Sequence, residues 1–440
     1  MSGFCGLDAV DLIEGYRSGK LDPRAVVEAH LAAIAAQDVA LHSFITVAEA
    51  SARSEAILSH ERWLGGHPNG VLDGVPLAIK DNIDVAGMPC TAGVAAFSDR
   101  VPGEDAPVVA TLRQQGAVIL GKLNMHEGAL GATTDNPTYG RCMNPVRYGY
   151  TPGGSSGGSG AAVAARLCTA ALGTDTMGSV RLPASYCGVF GFKPSQGMIP
   201  TDGVVPLSRL LDSVGVLARS AADMALVTFA LLHPRTQAEV PCGVTLTGLR
   251  VGVPRQLSDV AMQPDVAAAF ERFVSVLAAS GMRIVTLDLR DWRPGAARRA
   301  GLLVTEVEAA DFYVRALGDE LAGLSPSFTA ALRHPSRVEP SRIAASYAVI
   351  DDIRVACATA FETVELIALP TAPQTSFPHD GPTPTNQAEF TALANFARAP
   401  AVSLPFAAPT LPIGMQLMAA AGRDDYLLAV VLGVARVLAQ

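Results

Sequence analysis

"TPGGSSGGSGAAVAA", residues 151–165, is the stretch on which the reading of this chain turns. From Gly153 to Gly160 it contains only glycine and serine, and an alanine-rich helical run follows at once. Such a stretch serves as a phosphate cradle, a nucleophile elbow, a flexible hinge, or a place where backbone packs closely on backbone. A phosphate cradle needs G-x-x-x-x-G-K-[ST], so that a lysine reaches the phosphates. Here the glycines run into alanine and valine, and no Lys or Arg appears before Arg166. A G-x-G-x-x-G dinucleotide fingerprint is absent too. Gly153-Gly154-Ser155-Ser156-Gly157 formally matches the elbow motif G-x-S-x-G, which requires a strand before it and a histidine late in the chain. What precedes it is "NPVRYGYTP", a poor strand, and His233, His334 and His379 sit in no typical triad setting. A flexible linker does not stand between two strongly apolar strands and flow into a helix.

Outward from this stretch, short apolar runs alternate with helical ones. "VPLAIKDNIDV", "GAVILGKLN", "CTAALGTDT" and "GVFGFKPS" read as strands, and "APVVATLRQQ" and "GSGAAVAARL" as helices between them. Before them, residues 7 to 60 read as three helices, with Asp22 and Pro23 as cap and first turn of the second. After them, helices are expected at 220–232, 264–281, 297–322 and 341–363, and strands at 249–253, 284–288 and in "VELIALPTAP". A Pro-rich polar loop, "TSFPHDGPTPTNQ", is of the kind that rims a site. A last strand, "LPIGMQLMA", and a last helix, "DDYLLAVVLGVARVL", follow. The pattern predicts an α/β fold with a mixed, largely parallel sheet covered by helices on both faces. We expect one domain over 1–440, with a core at about 71–219 and a smaller helical lobe at about 230–345.

The bulk composition narrows the function classes. Half the residues are apolar and 17% charged, which suits a well-buried enzyme rather than a disordered chain. A net charge of −8 and few aromatics leave no basic stripe for nucleic acid. The cysteines, Cys5, Cys90, Cys142, Cys168, Cys187, Cys242 and Cys357, are odd in number and show no CxxC spacing. That predicts neither a disulfide framework nor a metal site, and fits buried thiols in a reducing cytoplasm. Neither a signal peptide nor a membrane span is expected. No cofactor fingerprint appears.

One set of residues makes chemical sense together. Lys80 follows the apolar strand "VPLAIK", Ser155 lies in the Gly/Ser stretch, and Ser179 occupies a second small-residue turn, "LGTDTMGSVRLPAS". A lysine emerging from an apolar strand is desolvated, which disfavours its charged form and lowers its pKa. Neutral, it can act as a base and activate a serine. The small residues around both serines let backbone N–H groups approach a developing oxyanion.

The region from about Val71 to Arg219 resembles the amidase signature family of serine hydrolases. The resemblance rests on "GVPLAIKDNIDVAGMPCTAG", "GAVILGKLNMHE", "NP" at 144–145, "PGGSSGGSGAAVAA", "ALGTDTMGSVRLPASYCGVFGFKPS" and "LDSVGVLARS", and continues more weakly through "FTALANFARAPAVSLP" and "LPIGMQLM". It implies a mixed sheet covered by helices, with Ser179 as nucleophile, Ser155 as bridging serine after a cis peptide, and Lys80 as terminal base. It implies an oxyanion hole from the backbone N–H groups of Thr176, Met177, Gly178 and Ser179. Met177 departs from the commoner glycine, and a need for positive φ there would strain it. Ser156 supports the relay, and Asp175 with Arg181 fixes the nucleophile loop. "MHEGALG", 125–131, matches a loop lining the acyl pocket, so His126, Gly128 and Ala129 are pocket candidates. Arg141 is a candidate for a substrate carboxylate. Lys122, Asp81 and Lys193 read as structural.

The implied reaction is hydrolysis of a small carboxamide to carboxylate and ammonia or amine, with carbamates and ureas in range. The implied partner is a small-molecule amide, with no nucleic acid and no membrane; a homodimer is compatible. The same signature occurs in the glutaminase subunit of tRNA-dependent amidotransferases, from which the chain's length and its "NMHEGALG" block depart. A binding protein that kept the fold without the chemistry is the third reading, and the intact Lys80, Ser155 and Ser179 stand against it.

Overall fold

Eleven strands form one sheet in the computed structural model, which describes residues 3–234, 243–408 and 410–439. In chain order they are β1 (Phe44–Val47), β2 (Pro76–Lys80), β3 (Val118–Leu123), β4 (Ala170–Asp175), β5 (Phe190–Lys193), β6 (Ser213–Ala218), β7 (Arg250–Pro254), β8 (Arg283–Leu287), β9 (Leu366–Pro370), β10 (Ala401–Phe406) and β11 (Ile413–Met418). Across the sheet they run β1-β3-β2-β4-β6-β5-β10-β11-β9-β7-β8. The sheet is mixed, with its parallel pairings in two blocks, β3-β2-β4 and β9-β7-β8. Antiparallel pairs join the blocks, and β1 closes one edge antiparallel to β3.

Alternation along the strands sorts their side chains into two apolar layers. Leu77 and Ile79 of β2, Ile119 of β3, and Ala170 and Leu172 of β4 join the larger cluster, with the helices Ala221–Leu232 and Asp424–Leu438. Ala78, Val118, Leu120 and Ala171, the residues between them, join the other, with the helices Pro23–Leu41 and Gly157–Ala164. Period-two side chains on strands buried on both faces give this arrangement directly. It is why these strands read as continuous apolar runs.

The expected elements form close to their predicted limits. Asp22 caps its helix by accepting from the Arg24 N–H at 2.9 Å, with Pro23 in the first turn. Three strands went unread: β1, β6 and β10. β1 is four residues long at an edge, and β10 carries Pro405. The stretch 230–345, expected to fold as a helical lobe, supplies β7 and β8 to the main sheet besides the helices Pro264–Ala279 and Pro294–Leu317. Cys90, Cys142, Cys168, Cys187 and Cys357 are buried free thiols, and Cys5 is buried too; Cys242 lies outside the described residues. Among the described residues no helix is long and apolar enough to cross a membrane, and no cluster of His, Cys, Asp and Glu could hold a metal ion.

The Gly/Ser stretch enters the helix Gly157–Ala164, which is buried along nearly all its length. A Cβ on Gly158 would sit 2.3 Å from the Asn124 carbonyl oxygen and 2.6 Å from that of Ser43, both rigid backbone. A Cβ on Gly157 would sit 2.2 Å from Thr134 Oγ1. Close packing is therefore one function of the stretch. Gly158→Ala should destabilise the protein by about 1–3 kcal/mol through overpacking. Urea denaturation checks this, and an unchanged midpoint would contradict it.

Candidate active site

Lys80 is the last residue of β2, and β2 lies parallel to β4 with Ile79 opposite Leu172. Lys80 and Thr174 therefore emerge side by side at the carboxyl ends of adjacent parallel strands, where open α/β sheets place their sites. The Lys80 side chain is fully buried. Its Nζ donates to Ser155 Oγ at 2.7 Å and to Thr174 Oγ1 at 2.7 Å. Asn82 Nδ2 donates to the same Thr174 hydroxyl at 3.2 Å and fixes its position. Burial pushes the Lys80 ammonium down to about 7, while the carboxylates of Asp212 and Asp175 work against that fall. Near neutral pH a large share of Lys80 is thus the free amine, which an exposed lysine is not.

Ser155 follows a cis peptide bond, Gly154–Ser155. Its carbonyl accepts from the His126 N–H at 3.0 Å. Thr134 Oγ1 donates to the Gly153 carbonyl at 2.8 Å, holding the other side of the bond. Ser156 ties three segments together. Its hydroxyl donates to the Thr174 carbonyl at 3.1 Å and accepts from the Thr174 N–H at 3.2 Å, and its own N–H donates to the Ser179 carbonyl at 3.2 Å. The sequence-predicted Lys80, Ser155, Ser156 and Ser179 are thereby gathered at one place.

Ser179 stands in the turn between β4 and the helix Arg181–Cys187, partly accessible where Lys80 and Ser155 are not. Asp175 organises this turn. Its carboxylate accepts from the N–H groups of Gly178 at 2.7 Å and Val180 at 3.1 Å, and pairs with Arg181 at 2.8 Å. Both side chains of the pair are fully buried. Burial alone would raise the Asp175 carboxyl, but the charge and hydrogen bonds of Arg181 outweigh it and hold it well below the usual range. Arg181 also donates to the Thr391 carbonyl at 2.8 Å, to Gln416 Oε1 at 2.6 Å and to Asn395 Oδ1 at 2.6 Å.

This network corrects the expected oxyanion donors. The Gly178 N–H is committed to Asp175, so it is not available to a substrate oxygen. The N–H groups of Thr176, Met177 and Ser179 have no acceptor among the described residues. The requirement for positive φ falls on Gly178, at 129°, and not on Met177. Met177 is therefore unstrained. Its sulfur packs where a Cβ on Gly301 would lie 2.7 Å away, and its side chain also lines the cleft.

The cleft in front of Ser179 encloses about 190 Å³. Gly154, Thr176 and Ser179 line it, and Leu130, Met177, Leu182, Leu207, Leu302 and Ala388 give it apolar walls. Of the pocket candidates, Ala129 lines it and His126, Gly128 and Arg141 do not. The His126 ring lies 3.3 Å from Thr133 Oγ1, and burial pushes it down to about 4, so it is neutral at pH 7. Gly128 faces the Phe328 ring instead. Arg141 pairs with Asp135 at 2.9 Å and Asp380 at 2.6 Å, which removes it as a ligand for a substrate carboxylate. Lys122 pairs with Asp81 at 3.2 Å in the core, and Lys193 donates to the Pro194 carbonyl at 2.6 Å. None of the late histidines, His233, His334 and His379, lines the cleft.

Sequence reading missed Thr174, Asn82 and Asp212 around the lysine, and Arg298, Thr305 and Gln387 in the cleft. The first three lie inside or beside quoted blocks, where a buried lysine's need for hydrogen-bond partners was a usable signal. The second three lie in segments that the sequence does mark, Gln387 at the end of the Pro-rich loop expected to rim a site and Arg298 and Thr305 in the helix expected at 297–322, but nothing singled them out within those segments.

The amidase family profile matches residues 25–428. The chain belongs to the amidase family. It is 34% identical, over 94% of its length and 93% of the relative's, to the A subunit of glutamyl-tRNA(Gln) amidotransferase from Synechococcus sp. strain CC9311. That coverage removes length as an argument against kinship with the amidotransferase protein. Among solved structures, a crystal structure of an amidase superposes with a TM-score of 0.89 at 31% identity, covering 98% of this chain and 99% of that one. The A subunit of glutamyl-tRNA(Gln) amidotransferase from Thermotoga maritima superposes with a TM-score of 0.80 at 25% identity, covering 98% and 94%.

Asp175→Ala should leave the Arg181 guanidinium buried without its carboxylate. Loss of one partner of a buried pair costs about 3–5 kcal/mol. The expected result is a large fall in the denaturation midpoint together with lost activity; a wild-type midpoint would show that the pair does not anchor the turn.

Proposed function

We propose that the protein hydrolyses a small carboxamide through an acyl-enzyme on Ser179, with Ser155 and Lys80 as a proton relay. The observation that carries this is the 2.7 Å contact between Lys80 Nζ and Ser155 Oγ, made by a fully buried lysine whose ammonium is pushed down to about 7. Neutral Lys80 takes the Ser155 proton as Ser155 takes that of Ser179. Ser179 Oγ then attacks the amide carbon. The N–H groups of Thr176, Met177 and Ser179 receive the negative oxygen, and the relay returns a proton to the leaving nitrogen. Water repeats the cycle on the ester and releases the carboxylate. Each proton in this sequence passes between groups of this chain, the substrate and water.

Carbamates and ureas have the same planar C–N carbonyl and are within range. A second reading, the ammonia-releasing component of an amidotransferase, is favoured by the 34% identity to the Synechococcus protein. The higher superposition on an amidase, 0.89 against 0.80, supports the small-amide reading. The buried free thiols support a reducing, cytoplasmic setting.

The test is ammonia or amine release from a panel of small amides, carbamates and ureas by the purified chain. Turnover of a small amide without any partner supports the free-standing reading; release from glutamine or asparagine alone, and slow, supports the amidotransferase reading. Ser179→Ala and Lys80→Met should each lower kcat/KM by about 10³-fold or more while leaving the protein folded. Full activity in Ser179→Ala would overturn the nucleophile assignment.

The pH profile gives an independent check. The ammonium form of Lys80 is inactive as a base, so kcat/KM should rise with unit slope below pH about 7 and level above it. A flat profile down to about pH 5 would rule out a neutral-lysine base.

A further inference from the structure

Arg298 differs from Thr176, Thr305 and Gln387, which also line the cleft. Thr176 Oγ1 donates to Asp212 Oδ1 at 2.6 Å and Thr305 Oγ1 to the Gly301 carbonyl at 2.8 Å. Gln387 uses both ends of its amide, donating to the Pro384 carbonyl at 3.1 Å and accepting from the Tyr186 hydroxyl at 3.1 Å. Arg298 makes no hydrogen bond within the described residues, and its Nε is buried without an acceptor. Its ion-pair partner is Glu389, 3.6 Å from that Nε, too far for a hydrogen bond. Only 17% of the Arg298 side chain is exposed.

The helix Pro294–Leu317 sets Arg298 beside Leu302 and Thr305, four and seven positions on, so the three share one face towards the cleft. Glu389 approaches from the Nε side. Nη1 and Nη2 have no hydrogen-bond acceptor among the described residues, and Glu389 makes its nearest approach at Nε. Two parallel N–H groups on a planar cation match the two oxygens of a carboxylate, and apolar walls strengthen that bond.

We infer that Arg298 recognises a carboxylate on the substrate, so that the amides this protein takes are anionic at the end away from the scissile bond. The inference rests on the reading of Ser179 as an amide-cleaving nucleophile. The substrate class is the half-amide of a short dicarboxylic acid. Its apolar middle lies along Leu130, Leu182 and Leu302, its amide at Ser179 and its carboxylate on Arg298. Arg141, the sequence candidate for this role, does not line the cleft and is hydrogen-bonded to Asp135 and Asp380.

The experiment pairs malonamate, succinamate and glutaramate with propionamide, butyramide and valeramide, in which a methyl replaces the carboxylate. Wild type should favour an anionic member over its neutral partner in kcat/KM. Arg298→Met should collapse that ratio by about 10- to 100-fold, the range of a lost charge-assisted pair. The change should fall mainly on KM, and Arg298→Lys should restore part of it. A wild-type preference for the neutral amides, or an equal loss on both members in Arg298→Met, overturns the inference. Calorimetric binding of succinamate to Ser179→Ala, with and without Arg298→Met, separates the two claims. Binding lost with Arg298 but no turnover by wild type sustains the carboxylate site and sinks the hydrolysis; turnover of neutral amides without succinamate binding does the reverse.

Discussion

The buried pair of Asp175 and Arg181 is the constraint on which the site depends. Asp175 ends β4, and its carboxylate takes two backbone N–H groups of the turn that carries Ser179. Arg181 begins the next helix and reaches across to Gln416 in β11 and to the 391–395 segment. The turn that carries Ser179 is thereby bolted to the far half of the sheet. Isolated burial of either charge would be costly; together, with both Asp175 oxygens hydrogen-bonded, they hold a geometry that an apolar contact would leave free to slide.

Lys80 and Ser155 are placed by the same means. Ser155 and Lys80 come from segments 75 residues apart and meet because β2 and β4 are neighbours. Ser156 bonds to both backbone groups of Thr174, so the Gly/Ser stretch is clipped to the end of β4 before its helix begins. The glycines of that helix let it lie against the backbone of Asn124 and Ser43. The side chains of this site are fixed by backbone contacts beneath them, which is what small residues permit.

Much of this was legible in the sequence because the informative residues were local. Apolar runs gave the strands, Asp22-Pro23 gave a helix start, and Lys80 at the end of a buried strand pointed to a desolvated amine, which the structure shows fully buried. What was not legible depended on contacts between distant segments. Gly178's N–H could not be known to belong to Asp175 without the folded turn, and Arg141 could not be known to face Asp380, 239 residues on. Arg298 looks in the sequence like any surface arginine in "RPGAARRAG". Its unused donors appear only when the helix packs over the cleft. β1, β6 and β10 were missed because length and flanks, not alternation, decide at such positions.

The desolvated lysine has a consequence for folding itself. Lys80 and Lys193 are both held down to about 7 by burial, whereas an unfolded lysine keeps its proton to about 10.5. Between these values the unfolded chain binds the extra protons, so folding releases them and stability rises with pH above 7. Buried thiols act in the opposite sense. Cys90, Cys168 and Cys357 are pushed up to about 12 from about 9, so above pH 9 the unfolded chain alone loses those protons and stability falls. The same desolvation that lowers Lys80 therefore sets the proton balance of the native state, and for these groups moves its most stable pH to the alkaline side of neutral.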